Sequence, residues 1–322
     1  MRAEDSGRAS AICLAPVADV TNRIPAIVNV ASGTAEEAQK ILELAAPFEV
    51  HAVQPTDIAS TIRDVVAAGA KRILVSGGDG TIATAATELL NTKAELAILP
   101  GGTLNHFARD LGVSTEAADA LELAVKGACR GVDIGVVNGH VFLNTSSVGA
   151  YVRFVRIRER LERRFGYRLA SALAAVRIMF QLRRFAVELE VDGQPRIYRT
   201  PLVFIGVGER ELQLPTLGSR VEDGKRGLHV LVVNGRSRAR LLALALAAVA
   251  RGVDAVARTP ELDSFLVERC RITLRRPTAV AIDGELVAMH ETLEYALHRD
   301  ALQVVCPPRE PSGARAPEAR TA

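Results

Sequence analysis

The sequence predicts an α/β protein in two parts: an N-terminal doubly wound parallel sheet and a C-terminal, mainly antiparallel β-sandwich. Three observations lead there. From Ile24 to about Gly131 the chain repeats a short apolar strand, a turn of small residues and a helix, which is the pattern of a parallel sheet covered on both faces. After Gly131 the strands are joined by Asn-Gly and Asp-Gly pairs, which favour tight hairpins. The 322 residues also exceed what one hydrophobic core usually serves. The expected boundaries are a disordered leader at 1–23, the α/β domain at 24–131, the sandwich domain at 132–308 and a disordered tail at 309–322, which is rich in Pro, Arg and Ala.

In the first part, a strand at 26–30 leads through Ser32-Gly33 into a helix at 35–44. A strand at 72–75 leads through Gly77-Gly78-Asp79-Gly80 into a helix at 81–90. A strand at 96–99 leads through Pro100-Gly101-Gly102 into a helix at 104–111. Ligands of such sheets bind beyond the carboxyl ends of the strands. In the second part, strands at 132–137 and 141–144 flank Asn138-Gly139, and a basic helical stretch covers 153–184. Strands at 187–191 and 196–203 flank Asp192-Gly193. Further strands fall at 228–233 and 271–274, with an apolar helix at 239–257 between them. Asp283-Gly284 turns the chain between 280–282 and 285–288, and the last strand covers 302–305.

Composition is that of an ordinary globular protein, 48% hydrophobic and 24% charged. A net charge of +3 argues against a chain built to bind nucleic acid. The charge is uneven: ten arginines and only two acids, Glu159 and Glu162, lie between Arg153 and Arg184. Arg160, Arg163 and Arg164, with the neighbouring Val155, Leu161, Phe165, Leu169 and Leu173, suit a helix lying on an anionic membrane; a solvated helix over the sandwich is the plainer reading. Cys13, Cys129, Cys270 and Cys306 are widely spaced and fit reduced thiols rather than a disulfide or zinc framework. The most apolar run, 241–250, is half the roughly 20 residues a membrane span needs.

Two segments carry the chemistry. In Gly77-Gly78-Asp79-Gly80-Thr81 the glycines let a phosphate reach the backbone amides, and the following helix adds unpaired N–H groups and positive dipole. Asp79 there suits the Mg²⁺ that accompanies a nucleotide; an N-cap is the plainer role. No Lys follows, so this is neither the GxxxxGK[ST] loop nor the spaced-glycine dinucleotide fingerprint. Pro100-Gly101-Gly102-Thr103-Leu104-Asn105 is a second glycine turn, expected at the same sheet edge, with Thr103 and Asn105 facing the nucleotide and Phe107 packing inward.

Together the GGDGT loop and the P-x-G-T-x-N-x-F-A-R segment resemble the catalytic domain of diacylglycerol kinases, sphingosine kinases and bacterial lipid kinases. The resemblance extends more loosely over 27–307, through Asn29 and Ser32-Gly33, the segment 132–149, and Asp283-Gly284-Glu285. It implies an ATP-dependent lipid kinase using ATP and Mg²⁺, with the nucleotide on the first domain and the lipid in the second. The implied nucleotide-binding set is Asn29, Ser32, Gly77, Gly78, Asp79, Gly80, Thr81, Gly102, Thr103 and Asn105. The resemblance implies Asp283 as the base and Asp223 as a metal ligand; Glu285 is placed to orient that base or the metal, and Asp79 is the metal ligand read from its own loop. Departures from the family pattern are Val30 for Pro, Ala83-Thr84 for Asn-Glu, and His229 for an Asp. The implied partner is a lipid such as diacylglycerol at a membrane surface, the implied place the cytoplasm with peripheral contact to the inner face of the membrane; homodimerisation is left open. Two alternatives remain: an NAD kinase-like enzyme, which shares a GGDGT loop, and a non-catalytic nucleotide- or lipid-binding relative.

Overall fold

The structure is a computed structural model that describes residues 23–45, 47–180, 183–210, 220–221, 224–233 and 262–308. In chain order the elements are β1 (Ile24–Asn29), α1 (Ala35–Leu44), β2 (Phe48–Val53), α2 (Ile58–Ala67), β3 (Arg72–Gly77), α3 (Asp79–Leu89), β4 (Glu95–Pro100), α4 (His106–Asp110), α5 (Ala117–Lys126), β5 (Cys129–Val137), β6 (His140–Phe142) and β7 (Thr145–Gly149). They continue with α6 (Ala150–Phe180), β8 (Phe185–Val191), β9 (Gln194–Thr200), β10 (Leu202–Val207), β11 (Leu228–Val233), β12 (Leu262–Val267), β13 (Arg269–Ile282) and β14 (Glu285–Val305). The helix expected at 239–257 lies outside the described residues, as do the leader and the tail.

Strands β2, β1, β3 and β4 pair in that order, all parallel. Alternation along each strand serves two cores. Ile27, Ile73, Val75, Leu96 and Ile98 pack with Ile58 and Ile62 of α2, Ile82 and Leu89 of α3, and Phe107 of α4. Ala26, Val28, Leu74, Ala97 and Leu99 face the other way, onto Ala35, Ala38 and Leu42 of α1 and Ala120, Leu121 and Ala124 of α5. That is why these strands read as unbroken apolar runs. Each buried Leu, Ile or Phe contributes about 1.5–3 kcal/mol of transfer free energy. The expected Phe107 packing is seen: the ring is fully buried.

The C-terminal strands are antiparallel, as expected. β13 pairs with β14, β8 and β7, and β10 pairs with β7 and β11. The hairpin turns lie where the dipeptides placed them, with Asn138, Asp192 and Asp283 and their following glycines all at positive φ. β14 is longer than the two short strands read from the sequence. Its far end returns to the first half, pairing parallel with β4 through Gln303 and Val304 and antiparallel with β5. Leu302 and Val304 therefore pack in the first core, together with Val132 and Ile134 of β5. All fourteen described strands form one hydrogen-bonded network, crossed by β14 at the boundary expected near 131.

α6 is the basic stretch. Gly166, at φ 71° and ψ 165°, interrupts it. Val155, expected as a surface anchor, is instead fully buried. Phe165, Leu169, Leu173 and Val176 are exposed.

Candidate active site at the glycine loops

β3 and β4 end side by side, with Gly77 opposite Pro100. Just beyond, the Gly101 N–H donates to the Gly77 carbonyl at 2.9 Å. The two glycine turns interlock there. A Cβ on Gly101 would lie 2.8 Å from Ser32 Oγ and 3.3 Å from Gly77 Cα. A Cβ on Gly102 would lie 2.7 Å from Gly78 Cα. Only glycine permits this approach, which sets the starts of α3 and α4 together at the carboxyl edge of the parallel sheet.

The β1 turn joins the same edge. Ser32 Oγ donates to the Gly101 carbonyl at 2.7 Å, and Asn29 Nδ2 donates to Thr81 Oγ1 at 2.8 Å. Thus Asn29, Ser32, Gly77, Gly78, Asp79, Gly80, Thr81, Gly102, Thr103 and Asn105 are brought together, but in different ways. Thr81 is buried, with its hydroxyl accepting from Asn29. Asn105, at φ 49° and buried, turns its carboxamide back onto its own loop: Oδ1 accepts from Gly102 N at 2.9 Å and Nδ2 donates to Gly102 O at 2.7 Å. Its amide shapes the second loop rather than reaching outward as expected. Thr103 is exposed and Gly80 is exposed. Asp79 stands on the first turn of α3, and its Oδ1 accepts weakly from Phe107 N at 3.4 Å. It therefore helps to start α4, since Asn105 as N-cap gives that helix no side-chain acceptor.

The β13–β14 turn closes on the same place. A Cβ on Gly80 would fall 2.8 Å from Glu285 Oε1, so Glu285 lies against the first glycine loop. Asp283 is tied in more firmly: Oδ2 accepts from Leu143 N at 2.8 Å, and Oδ1 accepts from Asn144 N at 2.9 Å and Thr145 N at 2.8 Å. Burial pushes its carboxyl pKa up, against the pull of those three amides and of Arg210. The carboxylate spends three of its four acceptor positions on backbone.

Residues that motif reading missed frame this turn. Arg210, almost fully buried, donates from Nη1 to Asp110 Oδ2 at 2.7 Å and from Nη2 to the Asn144 carbonyl at 2.9 Å. It therefore joins the end of α4 to the loop that Asp283 holds. No local pattern marks Arg210 or Asp110, because their partners lie about a hundred positions away. His229 is buried too; its Nδ1 accepts from Arg210 N at 2.9 Å and its Nε2 lies 2.8 Å from Ser264 Oγ. Both ring nitrogens are used, and burial pushes its pKa down. Asp223 lies outside the described residues. Among the described residues, no three His, Cys, Asp or Glu side chains gather as a metal cage.

The fold and these loops define an α/β protein in which backbone amides and helix starts gather at one sheet edge, an arrangement suited to anions. Residues 23–137 match the family model of the diacylglycerol kinase catalytic domain. A Pseudomonas fluorescens protein named "Probable lipid kinase YegS-like" is 28% identical over 272 residues, 79% of this chain and 82% of that protein. A "Diacylglycerol kinase" of Bacillus subtilis is 35% identical over 126 residues, 38% of this chain and 41% of that one. The fold is also that of a diacylglycerol kinase crystal structure from Bacillus anthracis, with TM-score 0.64, 21% identity, and coverage of 89% of this chain and 97% of that chain.

Proposed function

We propose that this protein is an ATP-dependent lipid kinase, transferring the γ-phosphate of ATP to the hydroxyl of a lipid such as diacylglycerol. The observation that carries the reading is the convergence of the two interlocked glycine loops with the Asp283–Glu285 turn, Glu285 lying against Gly80. The first loop supplies helix-start N–H groups to the phosphates. Asp79, whose Oδ1 accepts a long 3.4 Å bond from Phe107 N, fits a Mg²⁺ that arrives on the nucleotide, since Mg²⁺ is commonly bound by one or two carboxylates plus phosphate oxygens. Bound there, the ion would offset phosphate charge.

Asp283 is the proposed base. Its raised pKa favours taking a proton, and its remaining acceptor position can receive the lipid hydroxyl. The three amides fix its orientation, and Glu285 adds negative charge beside Gly80. Positioning and charge neutralisation supply most of the acceleration in phosphoryl transfer.

The lipid must be reached at a bilayer, and no helix among the described residues is long and apolar enough to cross one. The exposed Phe165, Leu169, Leu173 and Val176 of α6, near the exposed Arg156, Arg160 and Arg164, support peripheral contact with an anionic surface. A second reading, a non-catalytic relative, draws on the same Asp283 geometry, since a carboxylate holding three amides also serves as a turn anchor. Labelled ATP offered with diacylglycerol, monoacylglycerol, sphingosine, ceramide and undecaprenol decides between them. Phosphate transfer to one lipid that is lost in Asp79→Ala is the expected result. ATP binding with no transfer to any lipid favours the second reading.

A further inference from the structure

Away from the glycine loops, the segment leading into β11 carries a cation into a buried acidic place. Arg226 Nε donates to Asp133 Oδ2 at 2.7 Å, and its Nη2 bonds both Asp133 Oδ1 and, at 2.9 Å, Asp300 Oδ1. Asp133, on β5, is 7% exposed. The backbone is shaped for this contact. Pairing of β14 with β5 shifts register between His298 and Leu302, and Asp300 within that bulge takes φ 49°. Asp300 N then donates to Asp133 Oδ1 at 2.9 Å. Gly131 makes room, because a Cβ there would fall 2.7 Å from Asp300 Cβ. On the other flank the segment is laced to β10's end: Glu209 N donates to Lys225 O, Lys225 N to Glu209 Oε2, and Gly208 N to Gly227 O. Glu209 precedes Arg210, which grips Asp110.

The family resemblance implies an acidic metal loop in this stretch. The described residues do not fit one. His229 spends both ring nitrogens on Arg210 N and Ser264, Glu209 Oε2 accepts from Lys225 N, and the buried carboxylate facing this segment from β5, Asp133, is already forked by a guanidinium. Two parallel N–H···O bonds to one carboxylate is the geometry that arginine holds best. We infer that Arg226 is a built-in cation of this loop: its guanidinium takes the place between Asp133 and Asp300, and no divalent ion binds there. The bridge positions the 224–229 segment, and through Glu209 and Arg210 it steadies the end of α4.

Stability of the nucleotide-free protein tests this independently of turnover. Thermal unfolding is followed for wild type in EDTA and across a MgCl₂ titration at constant ionic strength, then for Arg226→Ala and for the double variant Asp133→Asn/Arg226→Ala. The wild-type Tm should not move with Mg²⁺. Arg226→Ala should lose roughly 5 °C or more, because it strands a buried carboxylate. The double variant should regain part of that loss, since no buried charge is left uncompensated. A saturable rise of the wild-type Tm with Mg²⁺ overturns the inference. So does an Arg226→Ala protein as stable as wild type, or a double variant no more stable than the single one. If Arg226→Ala does not fold, the wild-type titration and the double variant still decide.

Discussion

Gly102 and Gly78 touch backbone to backbone: a Cβ added at Gly102 would sit 2.7 Å from the Gly78 Cα. Two loops separated in sequence by α3 and β4 thus form a single edge. Gly102→Ala must push them apart, with Asn105 Oδ1 also only 2.9 Å from the new carbon. Overpacking of this kind costs about 1–3 kcal/mol. Nucleotide affinity should fall about tenfold or more, measured by calorimetric titration with a non-hydrolysable ATP analogue. Unchanged affinity would remove the second loop from the site.

Asp283→Asn separates chemistry from anchoring. Loss of the proposed base should lower kcat by about 10²–10⁴ with ATP affinity unchanged. Because burial raises the Asp283 pKa above 3.8, turnover should fall on acidification at a higher pH than an ordinary aspartate would dictate. Tm is recorded alongside, since an Asn side chain offers one acceptor where the carboxylate meets three amides. A collapsed Tm with kcat per folded molecule intact would make Asp283 the anchor of 143–145 only.

Arg210→Met should be among the most damaging changes in the chain. Removing one partner of a buried ion pair leaves the other uncompensated and costs about 3–5 kcal/mol. Asp110 would be that partner, with its side chain 12% exposed. Denaturant unfolding measures it, and Asp110→Asn/Arg210→Met should recover part of the loss. A loss below about 1 kcal/mol, the level of a surface pair, would show that the bridge does not join the two halves.

His229 should give the protein a pH dependence near neutrality. Its folded pKa lies below the ordinary 6.5, so below that pH the unfolded chain binds more protons than the folded one. Stability is then full above pH 6.5 and is lost as pH falls from there through the lowered folded value. Tm measured from pH 7.5 to 5 should decline, and more shallowly in His229→Gln. Parallel profiles would place the acid sensitivity elsewhere.

Charge reversal on α6 tests the surface. Arg156, Arg160 and Arg164, each to Glu, should weaken binding to phosphatidylglycerol vesicles at low salt, since each basic residue near an anionic surface is worth about 1 kcal/mol. Binding to neutral vesicles should be nearly unaffected. Equal binding of variant and wild type to the anionic vesicles would leave α6 as a cover for the sheet.

Much of this was determined by the sequence itself. Apolar runs with Gly-rich turns set β1, β3 and β4 and the α/β order, because burial on both faces demands continuous hydrophobicity. Asn138-Gly139, Asp192-Gly193 and Asp283-Gly284 set three hairpins, because their turns need positive φ. The glycine clusters at 77–80 and 101–102 marked the edge where phosphate is proposed to bind, since that chemistry lies within a few consecutive amides. Other features depended on contacts that no local window contains. The return of β14 to β4, the engagement of Asp283 by the amides of 143–145, the inward turn of Asn105, and the Arg210–Asp110 and Arg226–Asp133 bridges were decided only by tertiary structure. Their partners lie far apart in sequence, and a charged side chain carries no local sign of whether folding will bury it against an opposite charge or leave it in water.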